Sequence, residues 1–323
     1  MKHCFLINLS SGKRESKKGL DEKIKECCEK NELEYFILNT ESATDANLKI
    51  KEFSAKYPGE DIRFYACGGD GTLCVTVNAV MEIADRERIS VGVIPVGTGN
   101  DFVRNFQPKE LFMDIEAQIK AEPMKIDLIK CNDFYAVNMI NIGFDCQVVC
   151  ATTDFKRKKF IPSSLAYICG LVATLIKKPG VSMTVSEGGR EYVKKDLLLT
   201  TFANGCFCGG GFHSNPHAEL CDGNVNALFV NDISRVKFIS LVKYYKNGTH
   251  LNGGFEHILS ENKEGTFDIR FSCPTNVSVD GEVVKVSSIK LACERNAISF
   301  LVPCGITAPI SSTPNGAEEM QSV

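Results

Sequence analysis

The sequence predicts two domains of different fold class, an α/β domain with a parallel sheet followed by a mainly antiparallel β-sandwich. Strand-like and helix-like hydrophobic patterns alternate over the first 125 residues. Beyond Pro123 most apolar segments are short and are separated by Gly- and Asp-containing turns. We therefore expect an α/β domain at residues 1–125, with a return of the chain to it at about 288–305, and a β-rich domain at residues 126–287.

In the first domain, repeated β-α units predict a parallel sheet with helices on both faces. The strand patterns lie at residues 3–9, 34–38, 63–67 and 89–95. The helix patterns lie at residues 20–28, 46–57 and 73–81. Because ligands bind beyond the carboxyl ends of such strands, we expect a site in the loops that follow them.

In the second domain, short strands bounded by turn residues predict a sandwich. The strand patterns lie at residues 125–131, 135–142, 181–185, 196–203, 225–230, 266–271 and 277–286. The turn signals are Gly188-Gly189, Asp222-Gly223 and Asp280-Gly281. Helix patterns occur at 165–176 and 236–246, and the Ser-, Thr- and Pro-rich tail at 306–323 is predicted to be disordered.

Composition excludes several classes of protein. The 323 residues carry 37 Lys or Arg and 40 Asp or Glu, and this net charge of −3 argues against a dedicated nucleic-acid binder. No apolar stretch reaches the roughly 18 residues that a transmembrane helix needs. The 15 cysteines form no Cys-x-x-Cys pair, so we expect buried thiols in a reducing cytoplasm rather than zinc ligands or disulfides.

Three loops after the predicted strands carry residues suited to phosphate binding. The first two hold Gly68-Gly69-Asp70-Gly71-Thr72 and Pro95-Val96-Gly97-Thr98-Gly99-Asn100-Asp101. Glycines let the backbone approach a phosphate, and free N–H groups at a helix start attract anions. The carboxylate of Asp70 would repel phosphate, which indicates a Mg²⁺ ion between the two. The alternative is a simple turn in which Asp70 or Thr72 caps the following helix.

The third loop, Asn8-Leu9-Ser10-Ser11-Gly12-Lys13, follows the first strand and contains one positively charged side chain, that of Lys13. Neither Gly-x-x-x-x-Gly-Lys-Ser/Thr nor Gly-x-Gly-x-x-Gly occurs in these loops. The ordinary P-loop and dinucleotide-binding folds are therefore disfavoured.

GGDGT (68–72) and IPVGTGNDFVRNF (94–106), at this spacing after NLSSGK (8–13), resemble the diacylglycerol kinase catalytic-domain family. That family includes soluble bacterial diacylglycerol kinases, ceramide kinases and sphingoid-base kinases. The similarity extends to about Pro303, through residues 125–128, 138–143, 204–211, 218–223, 279–282 and 297–303. The resemblance implies a first domain like those of phosphofructokinases and NAD kinases, which share the GGDG core.

The resemblance also implies ATP and Mg²⁺ as cofactors, with Asp70 facing the metal and Lys13 and Arg104 supplying positive charge. The implied ATP-binding residues are Asn8, Ser10, Ser11, Gly12, Thr40, Gly68, Gly69, Asp70, Gly71, Thr72, Gly97, Thr98 and Asn100.

By the same resemblance, Glu282 is the general base that takes the proton of a lipid hydroxyl, oriented by polar neighbours such as Asp280. Glu219, Asp222 and Asn224 would hold a structural Mg²⁺, partly through backbone oxygens. The alternative for Glu282 and Asp222 is that each only borders an Asp-Gly turn.

The implied reaction is phosphorylation of diacylglycerol to phosphatidic acid. The alternatives are a kinase for sphingoid bases or other amphiphiles, and a catalytically weak lipid-binding regulatory module. The last is suggested by Cys74-Val75, which stand where the family usually has Asn-Glu. Proline is also usual in the family where this chain has Leu9.

The predicted partner is a lipid at a membrane surface, reached by transient peripheral contact from the cytoplasm. Residues 165–176 are mostly apolar and are flanked by Lys156-Arg157-Lys158-Lys159 and Lys177-Lys178, which suits anionic lipid. The alternative for this segment is a buried helix with solvated basic ends. The sequence leaves open whether the protein is a monomer or a homodimer.

Overall fold

The computed structural model describes residues 1–9, 19–156, 174, 180–252, 254–255, 257–306 and 309. They form two compact units, each assembled from more than one segment. Unit 1 comprises Met1–Leu128, Glu219–Asp222 and Glu294–Val323, and unit 2 comprises Ile129–Ala218 and Gly223–Cys293. The two-domain architecture predicted from the sequence is confirmed.

Unit 1 contains alternating strands and helices. Its strands are β1 (Lys2–Asn8), β2 (Tyr35–Thr40), β3 (Ile62–Gly68) and β4 (Ile89–Pro95). Its helices are α1 (Leu20–Lys30), α2 (Ala43–Lys56), α3 (Asp70–Met81) and α4 (Ile115–Ile119). Single 3₁₀ turns lie at Arg86–Arg88, Phe102–Asn105 and Lys109–Met113. Strand β5 (Glu122–Cys131) starts in unit 1 and ends in unit 2.

Strand β1 lies between β2 and β3 and pairs in parallel with both. β3 pairs in parallel with β4, and β4 pairs with Ser299 and Phe300 near the end of the last strand. The five central residues of β1 are buried. On α1, Leu20, Ile24 and Cys28 recur at the spacing of one helix face and are buried against the sheet.

Unit 2 is built mainly from antiparallel strands. These are β6 (Phe134–Ala136), β7 (Met139–Gly143), β8 (Val181–Glu187), β9 (Arg190–Ala203), β10 (Val225–Asn231), β11 (Leu259–Glu264), β12 (Thr266–Val279) and β13 (Glu282–Val302). The helices are α5 (Phe144–Lys156) and α6 (Arg235–Asn247), with a 3₁₀ turn at His250–Asn252. The closing residues of β13 belong to unit 1.

The two long strands β9 and β12 organise unit 2. Each pairs with β7 along one part of its length and with β8 along another, always antiparallel. β10 extends the sheet from β9, and β11 extends it from β10. Side chains from these strands form one buried apolar cluster that includes Phe202, Phe229 and Phe267. This core fixes the turns that carry the candidate site.

Several boundaries differ from the prediction. The predicted strand at 277–286 is two strands, because the Asp280-Gly281 turn ends β12 and β13 begins at Glu282. Helix α5 and strand β11 were not predicted. The apolar segment at 165–176 and its basic flanks at 157–159 and 177–178 lie outside the described residues, apart from residue 174, and so does most of the tail at 306–323. Within the part of the chain described, no helix is long and apolar enough to cross a membrane.

Candidate active site

The carboxyl ends of the parallel strands in unit 1 bring the predicted nucleotide loops to one edge. The register pairs Asn8 with Thr40 at the ends of β1 and β2, and Gly68 with Pro95 at the ends of β3 and β4. Asn8 Nδ2 donates a hydrogen bond of 2.9 Å to Thr72 Oγ1, which connects the first loop to GGDGT. Predicted residues from four different strand ends therefore lie along one sheet edge.

The second loop packs directly on GGDGT. Gly97 N donates to Gly68 O at 3.1 Å, and a Cβ added at Gly97 would stand 2.4 Å from Gly69 Cα. Such a distance is far inside van der Waals contact, so only glycine fits at position 97 while the two backbones stay where they are. The glycines serve backbone contact between the two loops as well as any ligand.

The second loop is also braced from within. Asn100 stands in the left-handed region with a φ of 52°. Its side-chain amide donates to Pro95 O at 2.9 Å and to Gly97 O at 3.0 Å. Asparagine is one of the few residues with a side chain that adopts this conformation readily. Asn100 therefore holds the turn whose backbone touches GGDGT.

Helix α3 starts immediately after the glycine pair. Gly69 is its N-cap and offers no side-chain acceptor, so neither Asp70 nor Thr72 caps the helix. That part of the simple-turn alternative is wrong, because Asp70 is the first helical residue and Thr72 lies inside the first turn. A Cβ added at Gly71 meets nothing within 4 Å, which leaves open space at the positive end of the helix dipole. This end suits an anion.

Asp70 links the two glycine loops. Its Oδ1 accepts a hydrogen bond of 3.0 Å from Phe102 N, and its Oδ2 lies 3.0 Å from the position of a Cβ added at Gly99. One carboxylate oxygen is thus held by the second loop, and a glycine leaves room beside the other.

Arg104 contacts its own loop. Its Nη2 donates to Gly99 O at 3.3 Å, and its Nε lies 3.2 Å from the Asp101 carboxylate. Its predicted contribution of charge to a phosphate stays a prediction, since the guanidinium is placed to brace the loop. Ser10, Ser11, Gly12 and Lys13 lie outside the described residues.

In unit 2, the predicted base stands on a two-residue hairpin. Val279 pairs with Glu282 across Asp280 and Gly281, whose φ angles of 46° and 96° are both in the left-handed region. The Glu282 side chain is exposed, and no described residue forms a hydrogen bond or ion pair with it. Its carboxylate is therefore accessible, as a general base must be.

Asp280 is bound by backbone. Its carboxylate accepts hydrogen bonds from Val137 N at 2.6 Å, Asn138 N at 3.1 Å and Met139 N at 2.8 Å. Asp280 N in turn donates to Met139 O at 3.0 Å. Asp280 therefore fixes the hairpin to the start of β7. Its orientation of Glu282 stays a prediction, and it would act through the backbone that both residues share.

Two asparagines that the sequence reasoning missed complete this anchor. Asn138 Nδ2 donates to Phe207 O at 2.8 Å, and Asn204 Nδ2 donates to Val137 O at 2.9 Å. Both side chains are buried. The sequence indicates them only weakly. Each is a single amide at the end of an apolar strand, where a buried polar side chain needs a hydrogen-bond partner.

The predicted structural metal residues fall in different units. Glu219 and Asp222 belong to unit 1 and Asn224 to unit 2. Leu220 O accepts from Asp127 N at 2.7 Å, which pairs this segment with β5. Among the described residues, no group of three or more His, Cys, Asp or Glu side chains is placed to hold a metal. The magnesium at Glu219, Asp222 and Asn224 stays a prediction.

Cys74, where the motif departs from the usual Asn-Glu, lies inside α3. Its side chain is buried, and Asn78 Nδ2 lies 2.9 Å from Cys74 O and 3.5 Å from Cys74 Sγ. The departure therefore sits in the packing of the helix and not at its first turn.

Comparison with known proteins agrees with this architecture. Residues 2–131 match the family described as diacylglycerol kinase catalytic domain, and residues 138–302 match the YegS C-terminal NAD kinase beta sandwich-like domain. A candidate lipid kinase of Staphylococcus aureus strain MSSA476 is 28% identical over 270 residues, which cover 81% of this chain and 84% of that protein. One from strain MRSA252 is 28% identical over 271 residues, with the same coverage of both chains.

Solved structures show the same fold. A crystal structure of a candidate diacylglycerol kinase from Bacillus anthracis superposes with a TM-score of 0.70 and 19% identity, covering 94% of this chain and 97% of that one. A second structure of a diacylglycerol kinase from that organism gives a TM-score of 0.67 and 17% identity, covering 95% and 98%. By its two matched domains, the chain belongs to the diacylglycerol kinase catalytic-domain family.

Proposed function

We propose that this protein is an ATP-dependent lipid kinase that transfers the γ-phosphoryl group to a lipid hydroxyl, with diacylglycerol as the first candidate acceptor. The observation that carries the proposal is the packing of GGDGT against the second glycine loop at the start of α3. Phosphoryl transfer requires alignment and neutralisation of charge more than covalent catalysis, and a braced anion-binding loop supplies both.

The residues at this edge fit a magnesium nucleotide. The start of α3 has open space beside Gly71, where a phosphate would meet a favourable helix dipole. Asp70, with one oxygen held by Phe102 N, offers a hard oxygen ligand of the kind that Mg²⁺ prefers. Asp70 would hold the ion, and the ion would supply charge neutralisation at the phosphates.

Glu282 is the proposed general base. A carboxylate in this role accepts the proton of the attacking hydroxyl and typically contributes about 10²–10⁴-fold to the rate. Val283 and Val284, which follow it on β13, are 37% and 38% exposed. Because side chains alternate faces along a strand, Val284 shares the face of Glu282. An exposed apolar side chain beside an accessible carboxylate suits an acceptor that combines a hydroxyl with hydrocarbon.

Sphingoid bases and other amphiphiles share that combination, so they remain the second candidate acceptors. A catalytically weak lipid-binding module is the third possibility. The burial of Cys74 within α3 argues against it, because the glycines proposed to face the phosphates are retained.

The test is a substrate panel. Purified protein is incubated with labelled ATP, Mg²⁺ and mixed micelles that contain diacylglycerol, sphingosine or monoacylglycerol, and lipid products are separated by chromatography. We expect phosphatidic acid to form fastest. Product from sphingosine alone would select the second candidate, and no lipid product from any micelle would refute a kinase.

The base assignment has its own variant pair. Glu282→Gln should lower kcat by about 10²–10⁴-fold with little change in thermal stability, because the side chain is exposed and has no described partner. Glu26→Gln, at an exposed glutamate of α1, is the matched control and should keep wild-type kcat. Near-normal kcat in Glu282→Gln would show that another group takes the proton.

A further inference from the structure

Helix α6 has a buried face that fixes it to unit 2. Phe238, Leu241 and Tyr245 lie in an apolar cluster, with the rings of Phe144 and Phe238 centred 4.7 Å apart. Ser234 caps the helix by accepting from Lys237 N, and Gly248 ends it with a φ of 72°. The helix is therefore held in position independently of its other face.

That other face also carries large apolar side chains. Val236 is 77% exposed, Ile239 is 66% exposed and Tyr244 is 41% exposed. At 100° per residue, the three side chains fall on one side of the helix, opposite the buried trio. Three of the eleven exposed large apolar side chains among the described residues thus lie on this single helix. A face of this kind marks an interaction surface.

Lysines frame the same face. Lys237 lies at one edge of the exposed arc, Lys246 at the other, and Lys243 lies between Val236 and Ile239. All three are exposed, and no described residue forms an ion pair with them. The helix sequence RVKFISLVKYYKN contains no acidic residue. The outer face therefore combines three exposed apolar side chains with three lysines that no described residue neutralises, and Ser240 and Asn247 lie on the same side of the helix.

We propose that this outer face of α6, defined by Val236, Ile239, Tyr244 and the three lysines, docks the protein onto anionic lipid bilayers. The proposal rests on the proposed function and names the membrane contact through which a lipid kinase would reach its acceptor. An interfacial helix buries apolar side chains at the headgroup boundary while lysines attract anionic lipid. The charge of the face selects an anionic bilayer over a neutral one or a basic protein.

The experiment measures flotation of the full-length protein with vesicles of phosphatidylcholine alone and of phosphatidylcholine mixed with phosphatidylglycerol. We expect binding to the mixed vesicles, weakened by added salt. The variant Lys237→Gln/Lys243→Gln/Lys246→Gln should bind about a hundredfold more weakly, since each lysine near an anionic surface contributes about fivefold. Val236→Ser/Ile239→Ser should lose about tenfold or more.

The matched control is Lys23→Gln/Lys56→Gln/Lys195→Gln, which removes three exposed lysines from other elements and should bind like the wild type. Circular dichroism and thermal melting check that each variant is folded. Equal binding by the α6 variants and the wild type, or equal binding to both vesicle types, would overturn the proposal. So would a wild-type dimer that Val236→Ser/Ile239→Ser converts to monomer, because the face would then serve a second copy of the chain.

Kinase assays distinguish failure of this docking proposal from failure of the proposed kinase function. The α6 variants should lose activity on diacylglycerol in anionic vesicles but keep activity on short-chain diacylglycerol dispersed in water. A wild type that binds anionic vesicles through α6 yet phosphorylates no lipid would refute the kinase and leave the docking surface standing.

Discussion

Gly97 is the position where the packing of the two glycine loops is tested most directly. In Gly97→Ala the new Cβ would stand 2.4 Å from Gly69 Cα, 2.8 Å from Gly69 N and 2.8 Å from Asn100 Oδ1. Non-bonded carbon atoms pack at about 3.5–4.0 Å, so the two loops must move apart by at least about 1 Å at this point. Two of the three obstructing atoms are backbone, and no rotamer change relieves them.

Overpacking in a tight region typically costs about 1–3 kcal/mol, and the backbone location places Gly97→Ala at about 3 kcal/mol or above. For a domain of this size each kcal/mol lowers Tm by about 2–4 °C, so we expect a loss of about 6–12 °C. Because about 1 Å of misplacement can reduce catalysis about 10²-fold, kcat/KM for ATP should fall by a similar factor.

Gly71→Ala is the matched control for stability. A Cβ at Gly71 meets nothing within 4 Å, and alanine is favoured over glycine in a helix by up to about 1 kcal/mol. Differential scanning fluorimetry should therefore show an unchanged or raised Tm. Its affinity for ATP should fall if the open space beside it holds a phosphate. A Gly97→Ala protein with wild-type Tm and wild-type kcat/KM would refute the argument that the loops depend on backbone contact.

Two further predictions concern stability. Asp280→Ala should lower the free energy of unfolding by about 3 kcal/mol, measured in urea, because it removes the acceptor of three backbone N–H groups at 137–139. Asp280→Asn keeps an acceptor and tolerates the left-handed backbone, so it should lose less, and equal losses would contradict this reasoning. Burial lowers the pKa of three histidines from 6.5 to about 4: His3, His213 and His250. Between pH 6.5 and 4 the unfolded chain then binds more protons than the folded one. The free energy of unfolding should therefore decrease as the pH is lowered through that window, by up to about 3 kcal/mol per histidine. Burial raises the pKa of Asp145 to about 6, which opposes the trend between pH 4 and 6 but is a single group against three. Urea unfolding with no loss of stability down to pH 4 would contradict the buried neutral histidines.

The nucleotide edge of unit 1 was predictable because its signals are local. A buried strand, a glycine-rich loop and a helix start follow one another within 12 residues at 62–73 and within 17 residues at 89–105. Once the order of elements indicates parallel strands, their carboxyl ends must share an edge. Thr40 followed from the family resemblance, and the register places it beside Asn8.

Elements without a local signal were missed. Strand β11 reads LSENKE, which is polar at almost every position, and it is defined by its pairing with β10 at the side of the sheet. Helix α5 reads FDCQVVCATTDFK, whose valines and threonines favour strands, so tertiary contacts decide its conformation. In both, the surrounding fold overrides the intrinsic preference of the segment.

The anchor of the Asp280 hairpin illustrates a different limit. Asp280 and the amides that it binds are separated by 141 to 143 residues, so no pattern within a window of sequence reveals the contact. The Asp-Gly pair predicts a turn, and the family resemblance implies a role at the active site. The sequence offered these as alternatives, but the structure makes the turn the means by which the neighbouring Glu282 is positioned.

At the nucleotide edge, too, side chains of the motif residues form hydrogen bonds to backbone groups of the neighbouring loop. Asp70 binds Phe102 N and Arg104 binds Gly99 O. Substituting either residue should lower stability and activity together, so lost activity alone would not assign it a chemical step. Glu282 differs because it is exposed and no described residue pairs with it, so its loss should leave the fold intact. A variant that separates kcat from Tm is therefore the evidence that identifies a catalytic group in this protein, and Glu282 is where the structure predicts that separation.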